Sequence, residues 1–221
     1  HRQRTPLSRA VAAAPSIDGA GALPELDSAR IAGDYGVPYV RAERCASGAE
    51  AAAAAEQIGY PVVVKIDNVA HKARVGGVAL NLTDAGQVRQ AAERMGGRVI
   101  VAEQVSGGVE VLVGMVRDSD YGATVVVGVG GALAEALDLV SASLAPLDER
   151  GARELVASLP PRVRLLDHRI PDSLIDAIVA VSRLAAEHPE ISEIDVNPLL
   201  VSPERAVALD SLIVLEPEGA R

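Results

Sequence analysis

Short runs of apolar and β-branched residues alternate along this chain with segments whose apolar positions recur at helical spacing. Strands are expected at 61–66, 77–82, 98–105, 109–118, 123–130, 193–201 and 206–215. Helices are expected around 26–32 and at 48–58, 84–95, 148–159 and 172–187. This alternation predicts an α+β or α/β architecture in which helices cover sheets.

Polar residues and glycines mark the ends of these helices. The expected N-caps are Ser47, Thr83 or Asp84, Asp148 and Asp172. Gly59 follows the second helix and is typical of a helix end. Residues 1–22 combine basic residues, Ala, Pro and Gly without periodicity, which indicates a linker or disordered tail.

The amino-acid composition limits the kinds of binding partner that are expected. Apolar residues make up 49% of the 221 positions but aromatic residues only 2%, so the core must be aliphatic, and platforms for stacking nucleic-acid bases are not expected. The net charge of −9 also disfavours a polyanion-binding surface. The single cysteine, Cys45, excludes an internal disulfide, and no run reaches the ~18–20 apolar residues of a membrane helix. We therefore expect no nucleic-acid or membrane partner and a cytoplasmic location.

The stretch "GYPVVVKIDNVAHKARVGGVALNL" places Lys65 at the end of a strand, before a basic, glycine-containing turn. Lysine is rarely buried without a partner. Such a turn can hold an anion through its charges and its backbone N–H groups. A hairpin with a basic surface explains the same residues, so both interpretations stay open.

Two further stretches carry polar or glycine residues at strand ends. Glu103 and Glu110 flank Gly107-Gly108, where one carboxylate and a backbone amide could read an adenine edge and the other carboxylate could hold ribose hydroxyls. The alternative is a pair of solvated hairpin ends. The glycine-rich stretch 128–135 would let backbone N–H groups approach a phosphate, although such a turn is a weak signal by itself.

The C-terminal strands carry a candidate metal site. Asp195 and Asn197 alternate with apolar residues and therefore share one face of a strand. Asp210 lies in the next apolar run. Two carboxylates and an amide oxygen are ligands that suit Mg²⁺, with phosphates completing its octahedral shell. The alternative is an Asx-turn at Asn197-Pro198 on a surface strand.

The order of these features resembles the ATP-grasp fold, and closely the nucleotide-binding domain of the NDP-forming acyl-CoA synthetases, which also occurs in some protein acetyltransferases. The resemblance covers roughly residues 24–215 and rests on the stretches "YGVPYV", "IGYPVVVKI", "HKARVGGVAL", "VAEQVSGGVEVLVG", "GVGGALAE", "LAPLDE" and "EISEIDVNPLLV". It implies two α/β lobes that clasp a nucleotide within a domain spanning 23–216. The smaller lobe would be about 39–103, and the larger about 23–38 plus 104–216.

The resemblance also implies residue roles. The expected nucleotide-binding residues are Lys65, Lys72, Glu103, Gln104, Val105, Glu110, Gly130 and Gly131. Lys65 would contact phosphates, Glu103 would mark the adenine hinge and Glu110 the ribose. Asn197 and Asp210, with Asp195 close by, would hold Mg²⁺. His71 matches the histidine proposed to relay a phosphoryl group to the nucleotide.

Several positions depart from the family pattern. Five residues separate Lys65 from His71, two fewer than usual, and Ala73 and Arg74 replace the usual Ser-Asp. Leu137 and Ser143 carry no charge where the family often has Lys and Arg. Losing a phosphate-binding arginine removes charge stabilisation from phosphoryl transfer. These departures bear on turnover, whereas nucleotide binding is expected to be retained.

By resemblance, the chain is one domain or subunit of an ADP-forming acid-thiol ligase. It would exchange a phosphoryl group between ADP/ATP and a phosphohistidine, coupled to acyl-CoA formation or cleavage. Coenzyme A and the phosphohistidine would belong to a partner domain or subunit, in an oligomeric full assembly. The alternatives are a degenerate, non-catalytic nucleotide-binding module of a larger acyltransferase and a subunit like the β subunit of succinate-CoA ligase.

Overall fold

A computed structural model describes residues 16–67, 77–130, 140–159 and 170–216. Its strands are β1 (Gly21–Ala22), β2 (Ala42–Cys45), β3 (Val62–Ile66), β4 (Val78–Leu82), β5 (Val99–Glu103), β6 (Val109–Asp118), β7 (Gly122–Val129), β8 (Val140–Leu144), β9 (Ile191–Val201), β10 (Ala206–Ala208) and β11 (Ser211–Leu215). Its helices are α1 (Glu25–Asp34), α2 (Gly48–Ile58), α3 (Ala85–Arg94), α4 (Glu149–Ala157) and α5 (Asp172–Glu187).

Four strands form the small sheet, in the antiparallel order β2-β5-β3-β4. Helices α2 and α3 pack against it, and their buried Ala and Val side chains meet those of β3 and β5. The Ser47 and Asp84 side chains accept hydrogen bonds from the first turns of α2 and α3, as the sequence predicts. The small sheet therefore has its own aliphatic core.

The other strands form the large sheet, in the antiparallel order β1-β11-β9-β6-β7-β8, with β10 paired to β9. Helices α4 and α5 pack on one face of it, where Ile194 and Val196 of β9 are buried. Asp195 and Asn197 alternate with them and lie on the opposite face, as predicted. One face of this sheet is thus core, and the other is available for polar chemistry.

Helix α1 lies where the two sheets meet. It packs against β11, and its buried Ser28 hydroxyl accepts a hydrogen bond from the backbone N–H of Ile213 at 3.1 Å. The segment after α1 runs beside β10, where the Ala208 N–H donates to the Pro38 carbonyl at 2.7 Å. The Asp27 carboxylate in the first turn of α1 also lies 3.4 Å from Arg44 of β2, so this turn is positioned beside residues of both sheets.

Three sequence expectations need correction. The predicted strand 206–215 is interrupted at Leu209 and Asp210, which separate β10 from β11. Asp172 is not an N-cap: Pro171 holds that position without a side-chain bond, and Asp172 pairs with Arg153 at 2.8 Å. The predicted tail is ordered at its end, because β1 pairs with β11.

The fold class is confirmed, with helices covering two antiparallel sheets. The division into lobes at the stated residues stays a prediction. No helix in the described part of the chain is long and apolar enough to cross a membrane.

Gly107 and Gly108 offer a matched test of close packing. Both have positive φ, +81° and +96°, but a Cβ at 108 would lie 2.6 Å from the Val201 carbonyl oxygen, whereas one at 107 would meet nothing within 4 Å. Each change to Ala should cost on the order of 1–2 kcal/mol for the left-handed backbone. Gly108→Ala should lower the free energy of unfolding clearly more than Gly107→Ala does, because β9 must shift to make room for the methyl group. Urea denaturation measures the difference, and equal losses would show that β9 yields freely.

Candidate nucleotide and metal site

Lys65, the lysine that the sequence singled out, is buried near the end of β3. Its Nζ donates to Glu25 Oε1 at 2.9 Å and to the Leu209 carbonyl at 2.6 Å. The lysine and glutamate side chains are only 10% and 7% exposed. Glu25 belongs to the first turn of α1 and Leu209 follows β10, so the lysine of the small sheet reaches the large sheet.

The three predicted metal ligands lie on neighbouring backbone segments of the large sheet. The Asn197 N–H donates to the Asp210 carbonyl at 3.3 Å, and Asp195 pairs with Leu212 of β11. Asp210 directly follows Leu209, whose carbonyl accepts from Lys65. The structure therefore brings Lys65 to the backbone beside Asp210, although the two residues are far apart in sequence.

The donor set fits a magnesium ion. Asp195 and Asp210 offer carboxylate oxygens and Asn197 an amide oxygen, the hard donors that Mg²⁺ prefers. Among the residues that the structure describes, no group of three His, Cys, Asp or Glu side chains is arranged to hold a metal by itself. Mg²⁺ usually takes one or two carboxylates from a protein and its other ligands from water and phosphate.

The predicted adenine hinge follows β5. Glu103 takes its position from two contacts with Arg41: its N–H donates to the Arg41 carbonyl at 2.8 Å, and its carboxylate lies 3.1 Å from the Arg41 Nε. The carboxylate is therefore partly neutralised. The backbone of 103–105 emerges between the small sheet and β6 of the large sheet.

The side chain of Gln104 is held by β4. Its Oε1 accepts from the Asn81 N–H at 2.6 Å, and its Nε2 donates to Asn81 Oδ1 at 2.7 Å. Asn81 has a left-handed φ of +58°, which asparagine tolerates better than most residues. This paired contact fixes the side chain, and the Gln104 N–H donates to the Pro61 carbonyl at 3.2 Å, so the carbonyl is the part of Gln104 that can meet a ligand.

Glu110 and Gly130 lie side by side on β6 and at the end of β7. The Gly130 N–H donates to the Glu110 carbonyl at 2.7 Å. A Cβ at Gly130 would lie 3.0–3.1 Å from the Glu110 backbone carbon and Cβ and from the Val111 nitrogen, so glycine fits this close approach best. The Glu110 side chain is exposed.

Some predicted positions lie outside the described residues, namely His71, Lys72 and Gly131, together with the departures Ala73, Arg74 and Leu137. Ser143, the uncharged departure, lies half-buried in β8 and pairs with Val125.

The sequence reasoning missed Glu25, Tyr39, Arg41 and Asn81. Acidic residues in a first helical turn are ordinary because they complement the helix dipole, so Glu25 gave no distinct signal. Asn81 within an apolar run was a usable signal, since asparagine is depleted in strands and tolerates the left-handed region.

Two hydroxyl groups are buried beside Asp210, a candidate metal ligand. The Tyr39 hydroxyl and the Ser211 Oγ make no close hydrogen bond among the residues that the structure describes, although they lie near enough for Ser211 to oppose the rise in the pKa of Tyr39. Burial raises the pKa of Tyr39 well above its usual value, and the nearby carboxylates of Asp210 and Glu25 raise it further. Tyr39 is therefore neutral at physiological pH and contributes no charge to the site.

The sequence profile of the ATP-grasp domain matches residues 16–215. This chain belongs to the ATP-grasp family. The ATP-grasp chain is 34% identical over 202 residues to the β subunit of ADP-forming acetate–CoA ligase I of Pyrococcus furiosus, covering 82% of this chain and 86% of that subunit.

Two further similarities agree with this assignment. The ATP-grasp chain is 34% identical over 221 residues to ADP-forming acetate–CoA ligase I of Archaeoglobus fulgidus, covering 91% of this chain but 31% of that longer protein. It also superposes on acetyl-coenzyme A synthetase 1 of Ca. Korarchaeum cryptofilum with a TM-score of 0.80 at 31% identity, covering 89% of this chain and 93% of that one. These relatives are CoA ligases, and the chain corresponds to their ATP-grasp part.

Tyr39 and Tyr35 provide a matched pair of phenol groups. Tyr39→Phe should leave the free energy of unfolding unchanged or slightly higher, because it removes a buried hydroxyl without a hydrogen-bond partner among the described residues. Tyr35→Phe should lower the free energy of unfolding by on the order of 1.5–3 kcal/mol, because the Tyr35 hydroxyl donates to the Glu187 carboxylate at 2.6 Å. Urea titrations of both variants test this. A larger loss for Tyr39→Phe would reveal a bound water or another acceptor at its hydroxyl.

Proposed function

We propose that this chain is the nucleotide-binding part of an NDP-forming acyl-CoA synthetase of the acetate–CoA ligase type. It would exchange a phosphoryl group between ADP/ATP and a phosphohistidine, coupled to acyl-CoA formation or cleavage. The observation that carries the proposal is the bond between Lys65 and the Leu209 carbonyl, beside Asp210. A cation from one sheet and a carboxylate-bearing segment from the other form a place for a metal-bound phosphate.

Within this proposal, the phosphates lie between Lys65 and the acidic face of the large sheet. Lys65 donates to a phosphate oxygen. Asn197 and Asp210 would hold Mg²⁺ with Asp195 close by, and a bound ion would supply positive charge to neutralise the phosphates. The net charge of the chain is negative, so this local arrangement must supply the attraction for an anion.

The base and sugar would lie at the hinge and on β6. The Glu103 carbonyl and the backbone of Val105 would meet the adenine edge, because the N–H groups of Glu103 and Gln104 already donate to the Arg41 and Pro61 carbonyls. The exposed Glu110 would bind ribose hydroxyls. Gly130 and Gly131 would let the backbone approach the nucleotide closely.

The phosphoryl group would arrive from a partner. The synthetase from Ca. Korarchaeum cryptofilum was solved with coenzyme A and Mg-AMPPCP and with its phosphohistidine segment pointing towards the nucleotide-binding site. We infer the same kind of partner domain or subunit for this chain, with coenzyme A bound there. His71 would relay the group, and Lys72 would bind phosphate beside it.

A degenerate module that binds nucleotide without turnover is the second candidate. Ser143 favours it, because this strand position of β8 carries no charge where the family often has an arginine. The two candidates agree on nucleotide binding and differ in phosphoryl transfer.

Asp210→Asn tests the metal assignment. The variant should bind Mg-ADP well over tenfold more weakly by titration calorimetry, a loss of more than about 1.4 kcal/mol. The apo fold should be as stable as the parent or slightly more so, because asparagine keeps the Oδ1 that accepts the Ser211 N–H at 2.8 Å and removes one negative charge. Glu193→Gln is the matched control, an exposed position on the same face of β9 outside the proposed ligand set. An unfolded variant whose folded fraction retains full affinity would make Asp210 a structural acceptor.

His71→Ala separates the two candidate functions. In the assembly with its partner, acyl-CoA-dependent ATP formation should disappear while the Kd for Mg-ADP changes less than about threefold. Neutral imidazole is a good nucleophile near pH 7, which suits it to carry a phosphoryl group. A parent chain that binds Mg-ADP but forms no ATP with its partner would favour the non-catalytic module.

A further inference from the structure

The ion pair between Glu25 and Lys65 joins two elements that the proposed function does not otherwise connect. Glu25 is in the first turn of α1, and Lys65 is 40 positions further along the chain, in the small sheet. An ammonium group has three N–H donors. Among the described residues, Lys65 uses them for two acceptors, the Glu25 carboxylate and the Leu209 carbonyl. One donor therefore remains for a ligand.

We propose that Glu25 is a positioning residue for nucleotide phosphate binding. It holds the ammonium of Lys65 so that the remaining N–H points to a phosphate oxygen of Mg-ADP or Mg-ATP. The inference rests on the proposed function, because it takes Lys65 as a phosphate ligand. It adds a residue of α1 to the site, and Glu25 itself acts through Lys65.

The burial of the pair explains why a carboxylate is needed. The side chains of Lys65 and Glu25 are 10% and 7% exposed, so little water can solvate the ammonium. A buried charge without a counter-charge is strongly unfavourable. The Leu209 carbonyl supplies a dipole but no charge. The flexible four-carbon stem of lysine also leaves the ammonium poorly positioned unless its partners fix it.

Protein kinases use a comparable arrangement, in which a strand lysine that contacts nucleotide phosphates is held by a helix glutamate, and the pair must be intact for activity. The similarity concerns only the physical arrangement of the lysine and the glutamate. It sets the expected direction of the effect: removal of the glutamate weakens phosphate binding, although it also removes a negative charge from the site.

Asp27, two residues after Glu25 in helix α1, provides an internal control. Asp27 lies 3.4 Å from the Arg44 guanidinium, which also lies 3.1 Å from Asp67. This contact likewise joins the first turn of α1 to the small sheet, but it does not include Lys65. The Asp27 and Arg44 side chains are 44% and 39% exposed. Asp27→Asn therefore weakens the contact between α1 and the small sheet and leaves the ammonium partners intact.

The test compares ligands with and without phosphates on the whole chain. Glu25→Gln should raise the Kd for Mg-ADP at least tenfold and change the Kd for adenosine less than twofold. Asp27→Asn should change both less than threefold. Unchanged or tighter Mg-ADP binding by Glu25→Gln would overturn the inference, because Glu25 would then be a spectator or a competitor of phosphate. An equal loss for adenosine would also overturn it, because the whole site would then be distorted.

A double-mutant cycle separates this inference from the proposed function. Lys65→Met should itself weaken Mg-ADP binding, and Glu25→Gln should add less than twofold in that background, because Glu25 acts through Lys65. If Lys65→Met binds Mg-ADP normally, the phosphate role of Lys65 fails and the inference fails with it. If Lys65→Met binds weakly but Glu25→Gln binds normally, the inference alone fails.

Glu25→Asp covers the case in which Glu25→Gln does not fold. This variant keeps the negative charge but withdraws the carboxylate by one methylene. It should lose Mg-ADP affinity by severalfold and keep its adenosine affinity. Full Mg-ADP affinity in this variant would overturn the need for a positioned carboxylate.

Discussion

The ion pair of Glu25 and Lys65 is the contact on which the candidate site depends. It is buried, it joins α1 to the small sheet, and the same ammonium bonds to the Leu209 carbonyl of the large sheet. Burial of two charges is costly, and a well-packed apolar pair would often be as stable. The position of the pair beside the candidate phosphate site gives a reason for charged residues there that stability alone does not.

The first turn of α1 connects the helix to the small sheet in two chemically different ways. Glu25 forms a shielded pair with lysine, whereas Asp27 shares the more exposed Arg44 with the buried Asp67. Exposed pairs contribute little because water and salt screen them. The Glu25 contact is therefore the one expected to hold the Lys65 ammonium in position. The Asp27 contact contributes mainly to the alignment of α1. Both carboxylates also lie at the positive end of the helix dipole.

The two faces of the large sheet differ in role: one packs into the hydrophobic core, and the other carries the candidate site residues. The face that carries Ile194 and Val196 packs against helices α4 and α5, as an aliphatic core without phenylalanine or tryptophan requires. The other face carries Asp195 and Asn197, whose side chains are only partly buried and lie outside that core. The hinge after β5 has a comparable division. The side chains of Glu103 and Gln104 bind Arg41 and Asn81, and their backbone N–H groups donate to the Arg41 and Pro61 carbonyls, which holds the hinge in place for a ligand.

Local pattern in the sequence determined most helices and strands, because caps such as Ser47 and the alternation around Asp195 act over a few residues. The order of polar strand ends also indicated the family and the set of candidate ligands. The pairing of Lys65 with Glu25, the bond from Lys65 to Leu209 and the contact of Gln104 with Asn81 were decided only by the tertiary structure. Each joins residues at least 23 positions apart, and no local periodicity records which distant side chains meet. The break between β10 and β11 has the same origin, because Asp210 lies in an apolar run that reads as one strand. Only the pairing of both halves with β9 shows where that run divides.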